Sequence, residues 1–231
     1  MTLSVQFGSE RINFNLEFSE RKSLGISVLP DMKVLVKAPL NTPIYKIKER
    51  VQKRASWIIK QQQYFQSFYP KTPGKRYVGG ETLLYMGRQY RLRIIIGKQN
   101  EVRYKGRFFE ITTKSKSKVK NLMKQWYRDH AKIKFAEIAE PNIQKFKKYK
   151  VEPSGLYIQE MSKRWGSCTP KGKIILNPEL IKAPRKCIEY VIIHELCHLK
   201  HANHGSSFYK LQSVFMTDWT KWKEKLERIL A

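Results

Sequence analysis

The feature that most constrains this chain is a His-Glu-x-x-His pattern that directly follows a mostly apolar stretch, residues 187–193. That stretch predicts a helix buried in a core. Residues four apart share one face of an α-helix, so His194 and His198 can present two imidazoles to one metal ion. Zinc binds neutral imidazoles at about 2.0–2.1 Å in a tetrahedral arrangement. The pattern therefore predicts a zinc site, with Glu195 placed to accept a proton from a metal-bound water.

Two histidines are candidates for a third ligand. On an unbroken helix His201 would share the ligand face, but it would lie about 10.5 Å along the axis from His194. Three imidazoles spread over that length do not converge on one ion. His204 is about 240° around the axis from His198, so it reaches the metal only if the helix ends first. Asn203 supplies such an end, because Asn tolerates the left-handed conformation. We therefore favour His204 and expect His201 to lie at the surface or behind the ligands.

Composition indicates a soluble cytoplasmic protein with no membrane partner. The 231 residues, 41% hydrophobic, suffice for one large domain or two small ones. No signal-peptide pattern begins the chain, and no apolar run is long enough to span a bilayer. Cys168, Cys187 and Cys197 lack CxxC spacing, which argues against disulfides and for a reducing compartment. Cys168 and Cys197 are alternative zinc ligands, although core packing is favoured for Cys197. Nothing in the sequence predicts an oligomeric state.

The second strong signal is a net charge of +27. Residues 1–112 carry 21 basic against 8 acidic side chains, residues 113–150 carry 12 against 3, and residues 151–231 carry 13 against 8. A positive field of this size attracts polyanions, with nucleic acid first and nucleotides or anionic membrane surfaces next. We therefore expect DNA or RNA to bind the basic surface. The alternative is a surface that only keeps the protein soluble.

Residues 1–112 are predicted to form a β-rich, basic N-terminal region with one helix. Apolar residues alternate with polar ones over 11–39 and again in two later pairs of segments, as in strands and hairpins. The helix begins at Thr42 and Pro43. Its predicted apolar stripe comprises Ile44, Ile47, Val51, Trp57 and Ile58. The opposite face is basic and could track phosphates, but a solvated helix face is the favoured interpretation.

Residues 113–231 are predicted to hold the metal site. A helix over 113–150 is expected to break or kink at Pro141. Two short strands, the metal-binding helix at about 185–200 and a closing helix then follow. His130 has no partner in the sequence pattern and is interpreted as structural.

Three motifs follow one another in the second half of the chain in a family-specific order. They are Ser162-Lys163-Arg164-Trp165-Gly166-Ser167-Cys168, Lys171-Gly172-x-Ile174-x-Leu176-Asn177-Pro178-x-Leu180, and His194-Glu195-Leu196-Cys197-His198-Leu199 with Asn203-His204. Together they resemble the YgjP-like (WLM-related) metallopeptidases, relatives of the SprT/Spartan group. The resemblance covers about residues 10–230. Gly205 stands where Ser is usual in that family, a departure that leaves the ligands intact.

The resemblance implies an α+β fold with a zincin-like core, in which an active-site helix packs beneath a small sheet, after a β-rich N-terminal region. It also implies that His194, His198 and His204 hold zinc and that Glu195 is the general base. In such proteins the strand beside the cleft pairs with an extended peptide or protein substrate, here near 165–168 or 174–177.

Three functions are compatible with these features. The leading one is a zinc-dependent metallopeptidase, with nucleic-acid-associated proteins as candidate substrates. A metal-dependent phosphohydrolase of the nucleoside triphosphate pyrophosphatase type is the second, although the chain has no P-loop and no carboxylate cluster for Mg²⁺. A nucleic-acid-binding module with structural zinc is the third. Structural sites are usually closed by a fourth Cys or His, and His201, the obvious fourth ligand, is badly placed.

Overall fold

The computed structural model describes residues 1–29, 31–66, 74–162 and 164–230, which form an α+β fold. The chain divides into two compact units. The first comprises the described residues up to Gln66, and the second runs from Gly74 to Leu230. This division lies earlier in the chain than the boundary after residue 112 expected from the sequence.

The first unit consists of a four-stranded sheet and two helices. Its elements are β1 (Thr2–Phe7), β2 (Glu10–Ser19), β3 (Gly25–Val28), β4 (Val34–Pro39), α1 (Ile44–Lys53) and α2 (Ala55–Gln66). The strand order is β1-β2-β4-β3, in which β2 and β4 are parallel and the other pairs are antiparallel. The predicted alternation is confirmed in β2, where Ile12, Phe14 and Leu16 are buried and their neighbours are exposed.

The helical part of this unit differs from the single helix expected. α1 ends at Lys53, and Arg54 leaves the helical conformation with φ −102° and ψ 6°. Ile47, Val51 and Ile58 are fully buried, as predicted, but Ile44 and Trp57 remain 41% and 39% exposed. The break at Arg54 interrupts the helical phase, so α2 buries Ala55 and Ile58 and leaves Trp57 outside the core.

The second unit contains two further sheets, four α-helices and two short 3₁₀ helices (Lys116–Lys118 and Pro178–Lys182) in its described residues. Its elements are β5 (Thr82–Tyr85), β6 (Arg88–Ile96), β7 (Glu101–Lys105), β8 (Phe108–Thr113), α3 (Val119–Lys147), β9 (Gly155–Ile158), β10 (Gly166–Cys168), β11 (Lys173–Leu176), α4 (Arg185–His198), α5 (Ser206–Phe215) and α6 (Trp219–Leu230). The sheet orders are β5-β6-β8-β7 and β10-β11-β9. α4 packs against β10 and β11 and also against α3, α5 and α6.

Hydrogen bonds explain why the sheet β5–β8 belongs to the second unit. The Tyr127 hydroxyl of α3 donates to the carbonyl of Leu84 at 2.7 Å. The backbone N–H of Met86, in the β5–β6 turn, donates to the carbonyl of Ile181 at 2.9 Å. These bonds cross the expected boundary at residue 112 and attach the sheet to the region that contains α4.

Two helix predictions in this unit are corrected. Of the break or kink expected at Pro141, the break is absent, because α3 continues through this residue. Ala139 before the proline and Phe146 after it are both buried, so packing on either side holds the two halves in one helix. The closing segment forms two helices, because Met216 takes an extended conformation between them. None of the described helices is long and apolar enough to cross a bilayer.

Candidate metal centre

The three histidines predicted as ligands lie together in the structure. α4 carries His194 and His198, and the loop after it brings His204 beside them, with 3.0 Å between the Nε2 atoms of His194 and His204. One ligand atom from each of the three lies within 4.8 Å of the others. Tetrahedral zinc with bonds of 2.0–2.1 Å separates its ligand atoms by about 3.3 Å. The three imidazoles therefore fit around a single ion of that size.

The helix ends earlier than the sequence suggested. α4 stops at His198, with Leu199 as its C-cap, whereas the expected end was near Asn203. Asn203 has no positive φ and does not supply the left-handed residue that the prediction invoked. The early end leaves five residues for the chain to turn back, and this return places the His204 ring against the other two.

Oxygen acceptors orient two of the imidazoles. Nδ1 of His194 lies 3.0 Å from Oε1 of Gln212, and Nδ1 of His198 lies 3.2 Å from the backbone carbonyl of His201. An oxygen in that position requires a proton on Nδ1, which leaves the Nε2 lone pair free for a metal. His201 thus contributes its backbone, and its half-buried side chain is not part of the histidine group.

Gln212 is a residue that sequence reasoning missed. It is fully buried on α5, one helical turn after Phe208. The Phe208 ring lies 4.6–4.9 Å from the three imidazole rings, measured between centroids, and packs beneath them. The sequence does contain a signal that could have found Gln212. It is a polar residue among the buried positions of the helix that follows the metal motif.

Burial and mutual repulsion favour the neutral, metal-binding form of two of the imidazoles, His194 and His204. Burial, together with the neighbouring His198 and His204, lowers the pKa of His194 to about 4. The pKa of His204 is also lowered, first by burial and then by His198. A neutral imidazole is the species that ligates divalent metals, so no proton has to be displaced near neutral pH.

Glu195 is held beside the histidines in a space that a glycine provides. Its side chain is 5% exposed, and burial raises its pKa to about 7 against the lowering effects of the Arg164 guanidinium and a backbone hydrogen bond from Cys168. A Cβ on Gly166 would lie 2.6 Å from Oε1 of Glu195 and 2.9 Å from Cγ1 of Val191. Glycine in β10 is therefore required for the carboxylate to occupy this position.

The histidines and Glu195 open into a cleft of about 650 Å³. Residues 164–170 line one side of the cleft, and α4 together with the loop that carries His204 lines the other. β10 is the edge strand of its sheet, whereas β11 lies in the middle with Ile174 and Leu176 buried. Of the two candidate substrate-pairing segments, the one near 165–168 therefore borders the cleft.

Comparison with known protein families shows which family this chain belongs to. The YgjP-like metallopeptidase domain matches residues 22–229, which include the three histidines and Glu195. The chain belongs to the YgjP-like metallopeptidase family. This confirms the resemblance inferred from the three sequence motifs. No curated protein and no solved structure gave a significant match. A metallopeptidase family implies a metal ion, and the group of His194, His198 and His204 could hold one.

The other candidate ligands of this YgjP-like domain lie outside the histidine group. Cys197 is fully buried, and burial raises the pKa of its thiol to about 12. Cys168 lines the cleft, but it does not belong to the metal-binding group found among the described residues. His130 stacks on the Trp126 ring at 3.7 Å, and its Nδ1 lies 2.9 Å from the Trp126 carbonyl, which fits a structural role.

Proposed function

We propose that this protein is a zinc-dependent metallopeptidase with the zincin-like core that the sequence suggested. The observation that carries the proposal is the convergence of three imidazoles on one point, next to a buried carboxylate, in an open cleft. In the described chain no fourth His, Cys, Asp or Glu joins the group. Structural zinc sites are closed by four protein ligands, whereas catalytic sites keep one position open. The donor set therefore favours catalytic zinc.

Glu195 is the proposed general base. When bound, zinc lowers the pKa of a coordinated water and polarises the carbonyl of the substrate. The Glu195 carboxylate would take the proton of that water and return it to the leaving amine. A carboxyl group with a pKa of about 7 exchanges protons readily near neutral pH, which supports this assignment.

The free edge of β10 is the proposed binding surface for an extended substrate. β10 is antiparallel to β11. The Trp165 carbonyl and the Thr169 N–H, one residue before and one residue after β10, also form hydrogen bonds on the β11 side. Antiparallel ladders alternate, so the backbone groups of Gly166 and Cys168 point away from β11. The Cys168 N–H bonds to Glu195, which leaves the Gly166 N–H and two carbonyls for a substrate strand.

Tyr190 is the proposed donor to the oxyanion that forms during hydrolysis. It lies one turn before His194 on the same face of α4 and lines the cleft. Its ring stacks on Trp219 at a centroid distance of 6.4 Å, and its hydroxyl has no hydrogen-bond partner among the described residues. Burial raises the pKa of this hydroxyl, which keeps it protonated and able to donate.

The test is hydrolysis of casein by the purified, zinc-loaded protein, with and without chelator. We expect cleavage that chelation abolishes and added zinc restores. Glu195→Gln should be inactive, whereas Glu189→Gln on the same helix, which pairs with Lys186 outside the cleft, should remain active. Chelator-sensitive hydrolysis of nucleoside triphosphates without any peptide cleavage would overturn the proposal in favour of the phosphohydrolase.

Proteins bound to nucleic acid are the proposed substrate class, because the net charge of +27 would concentrate the enzyme on polyanions. Cleavage of a DNA-binding protein should therefore be faster when DNA is present than when it is absent. An equal rate in the two conditions would restrict the proposal to free proteins.

A further inference from the structure

The first unit contains a second cavity, of about 670 Å³, far from the metal motif in the sequence. It is formed by the loop before β3, the end of β4, α1 and the beginning of α2. Its cationic lining residues are Lys22, Lys46, Arg50, Lys53 and Arg54. No carboxylate lines it, and the Trp57 indole forms part of its wall. The cavity therefore combines concentrated positive charge with one exposed aromatic ring.

These cations have almost no counterions. Lys53 pairs with Glu49 at 2.6 Å, but both side chains are more than half exposed, and such pairs contribute little. Lys22, Arg50 and Arg54 have no carboxylate within 4.0 Å in the part of the chain that the structure describes. Like charges around one cavity repel one another, and an anion that enters the cavity relieves this repulsion.

The cations form a row. Lys46, Arg50 and Arg54 are spaced by four residues along and just beyond α1, so they share one face and extend over about 12 Å. A single phosphate group is shorter than this row, whereas a chain of phosphates can contact every member. Arginine side chains also bind phosphate oxygens in a bidentate manner.

Trp57 gives the row a second chemical character. It follows Arg54 by three residues, and 39% of its surface is exposed, although it had been expected in the core. An indole face at the end of a basic groove is a platform for an unpaired base. A base in a duplex is already stacked on its neighbours, so this arrangement favours a single strand.

We propose that this cavity binds single-stranded nucleic acid, with consecutive phosphates on Lys46, Arg50 and Arg54 and a base stacked on Trp57. The site lies entirely within the first unit. It does not depend on the metal centre, and its ligand need not be the substrate of hydrolysis.

The first experiment separates this site from the general positive field. Fluorescence anisotropy measures binding of a labelled oligothymidylate of about 12 nucleotides to the full-length protein at several salt concentrations. Arg50→Gln/Arg54→Gln should weaken binding by about tenfold or more and reduce the salt slope by about 1.4, since each lost phosphate contact contributes about 0.7. The matched control, Lys48→Gln/Lys60→Gln, removes the same charge from exposed positions outside the cavity and should change affinity by about twofold or less. Equal weakening by the two variants would overturn the proposal.

The second experiment tests the aromatic contact. Trp57→Ala should weaken oligothymidylate binding by about fivefold or more, while Trp57→Phe retains most of it. Neither change should alter binding of an abasic phosphodiester chain of the same length. If Trp57→Ala weakens both ligands equally, or if thymidine monophosphate binds as tightly as the oligomer, the proposal is wrong. Circular dichroism and zinc content verify that each variant is folded.

Discussion

The two compact units differ in what they bury. The core of the first unit is entirely apolar. All buried polar residues in the described ranges belong to the second unit: Thr113, Asn142, Asn177, Glu195 and Gln212. A buried polar group costs folding free energy unless it is paired, and Thr113, Asn142 and Asn177 each have a hydrogen-bond partner that holds them in place. The first unit buries Nε of Arg21 but keeps Lys46, Arg50 and Arg54 exposed around a cavity. Polar side chains held in fixed positions are suited to catalysis, whereas a row of exposed cations is suited to binding an anion.

Asn177 shows how a buried polar residue shapes the cleft. Its side-chain amide donates to the carbonyls of Met161 at 2.8 Å and Arg164 at 3.1 Å, and its oxygen accepts from the N–H of Glu179. These bonds hold the segment that leads into β10. The paired amide of Asn177 therefore positions the strand that borders the metal centre.

The largest expected effect concerns the metal ligands. His194→Ala and His204→Ala should lose the bound zinc, which we expect at about one ion per chain, because a catalytic zinc site needs three protein ligands and each change leaves only two. His201→Ala should keep it, since His201 supports His198 through its backbone carbonyl. Metal analysis of the purified variants measures this. Zinc loss in His201→Ala with retention in His204→Ala would reverse the assignment, and oligonucleotide binding by the first unit should be unchanged in all three variants.

The next largest effect concerns Glu195. Glu195→Gln should retain zinc and fold normally, because glutamine has nearly the same shape and the charge that it removes is buried. Turnover should fall by about a hundredfold or more, as expected when a general base is lost. Steady-state kinetics on casein, with zinc content measured in parallel, test this. Activity close to that of the unmodified protein would mean that another group takes the proton.

Local spacing in the sequence was enough to predict most of the residues of the candidate site. The i, i+4 relation placed His194 and His198 on one helix face, and the argument for a helix end brought His204 to them. The end itself lies at His198 rather than near Asn203, because a few residues of loop can turn back in several ways. Gln212 depends on how α5 packs against α4, and no local spacing encodes that contact.

Prediction of the fold has the same limit, because local patterns in the sequence do not encode long-range contacts. Alternation over 11–39 predicted β2, β3 and β4, since a period of two is a property of the strand itself, whereas β1 lies before the predicted segment. The apolar periodicity predicts Trp57 in the core only if one helix continues through Arg54, and α1 ends there. The compact units divide before the sheet β5–β8, which joins the second unit through long-range hydrogen bonds to residues such as Tyr127 and Ile181 that no local pattern encodes.

Gln212→Leu should weaken zinc binding by about 10- to 100-fold, the usual effect of losing a residue that orients a ligand. Its Oε1 accepts from His194, but its Nε2 is buried without a partner in the described structure. The substitution removes the unpaired Nε2 together with the useful oxygen, so the metal-free protein should not be less stable. Competition with a chromogenic zinc chelator and thermal unfolding of the metal-free protein measure the two effects. Unchanged zinc affinity would show that Gln212 does not orient His194.

The smallest expected effect tests the stability cost of polar groups in the second unit through Glu227 of α6. Its Oε2 is buried without a partner among the described residues, its Oε1 lies 4.0 Å from Nζ of Lys223, and burial raises the pKa of the carboxyl to about 7. Between about pH 4.5 and 7, the folded protein therefore still binds a proton at Glu227. The unfolded chain, in which this carboxyl has its ordinary pKa of 4.5, has already released it. The resulting stability is fully present below about pH 4.5 and is lost as the pH rises through 7.

Glu227→Gln carries no charge at any pH, so its advantage over the unmodified protein should grow with pH. We expect about 1–2 kcal/mol of added stability at about pH 8 and much less at about pH 5, after allowance for the partial exposure of the side chain. Glu224→Gln, an exposed acid on the same helix, is the matched control and should change stability by about 0.5 kcal/mol or less at either pH. Denaturant unfolding at the two pH values measures the difference. If the advantage of Glu227→Gln were the same at both, the carboxyl would titrate normally, and the cost of burial in the second unit would be confined to the residues that line the metal centre.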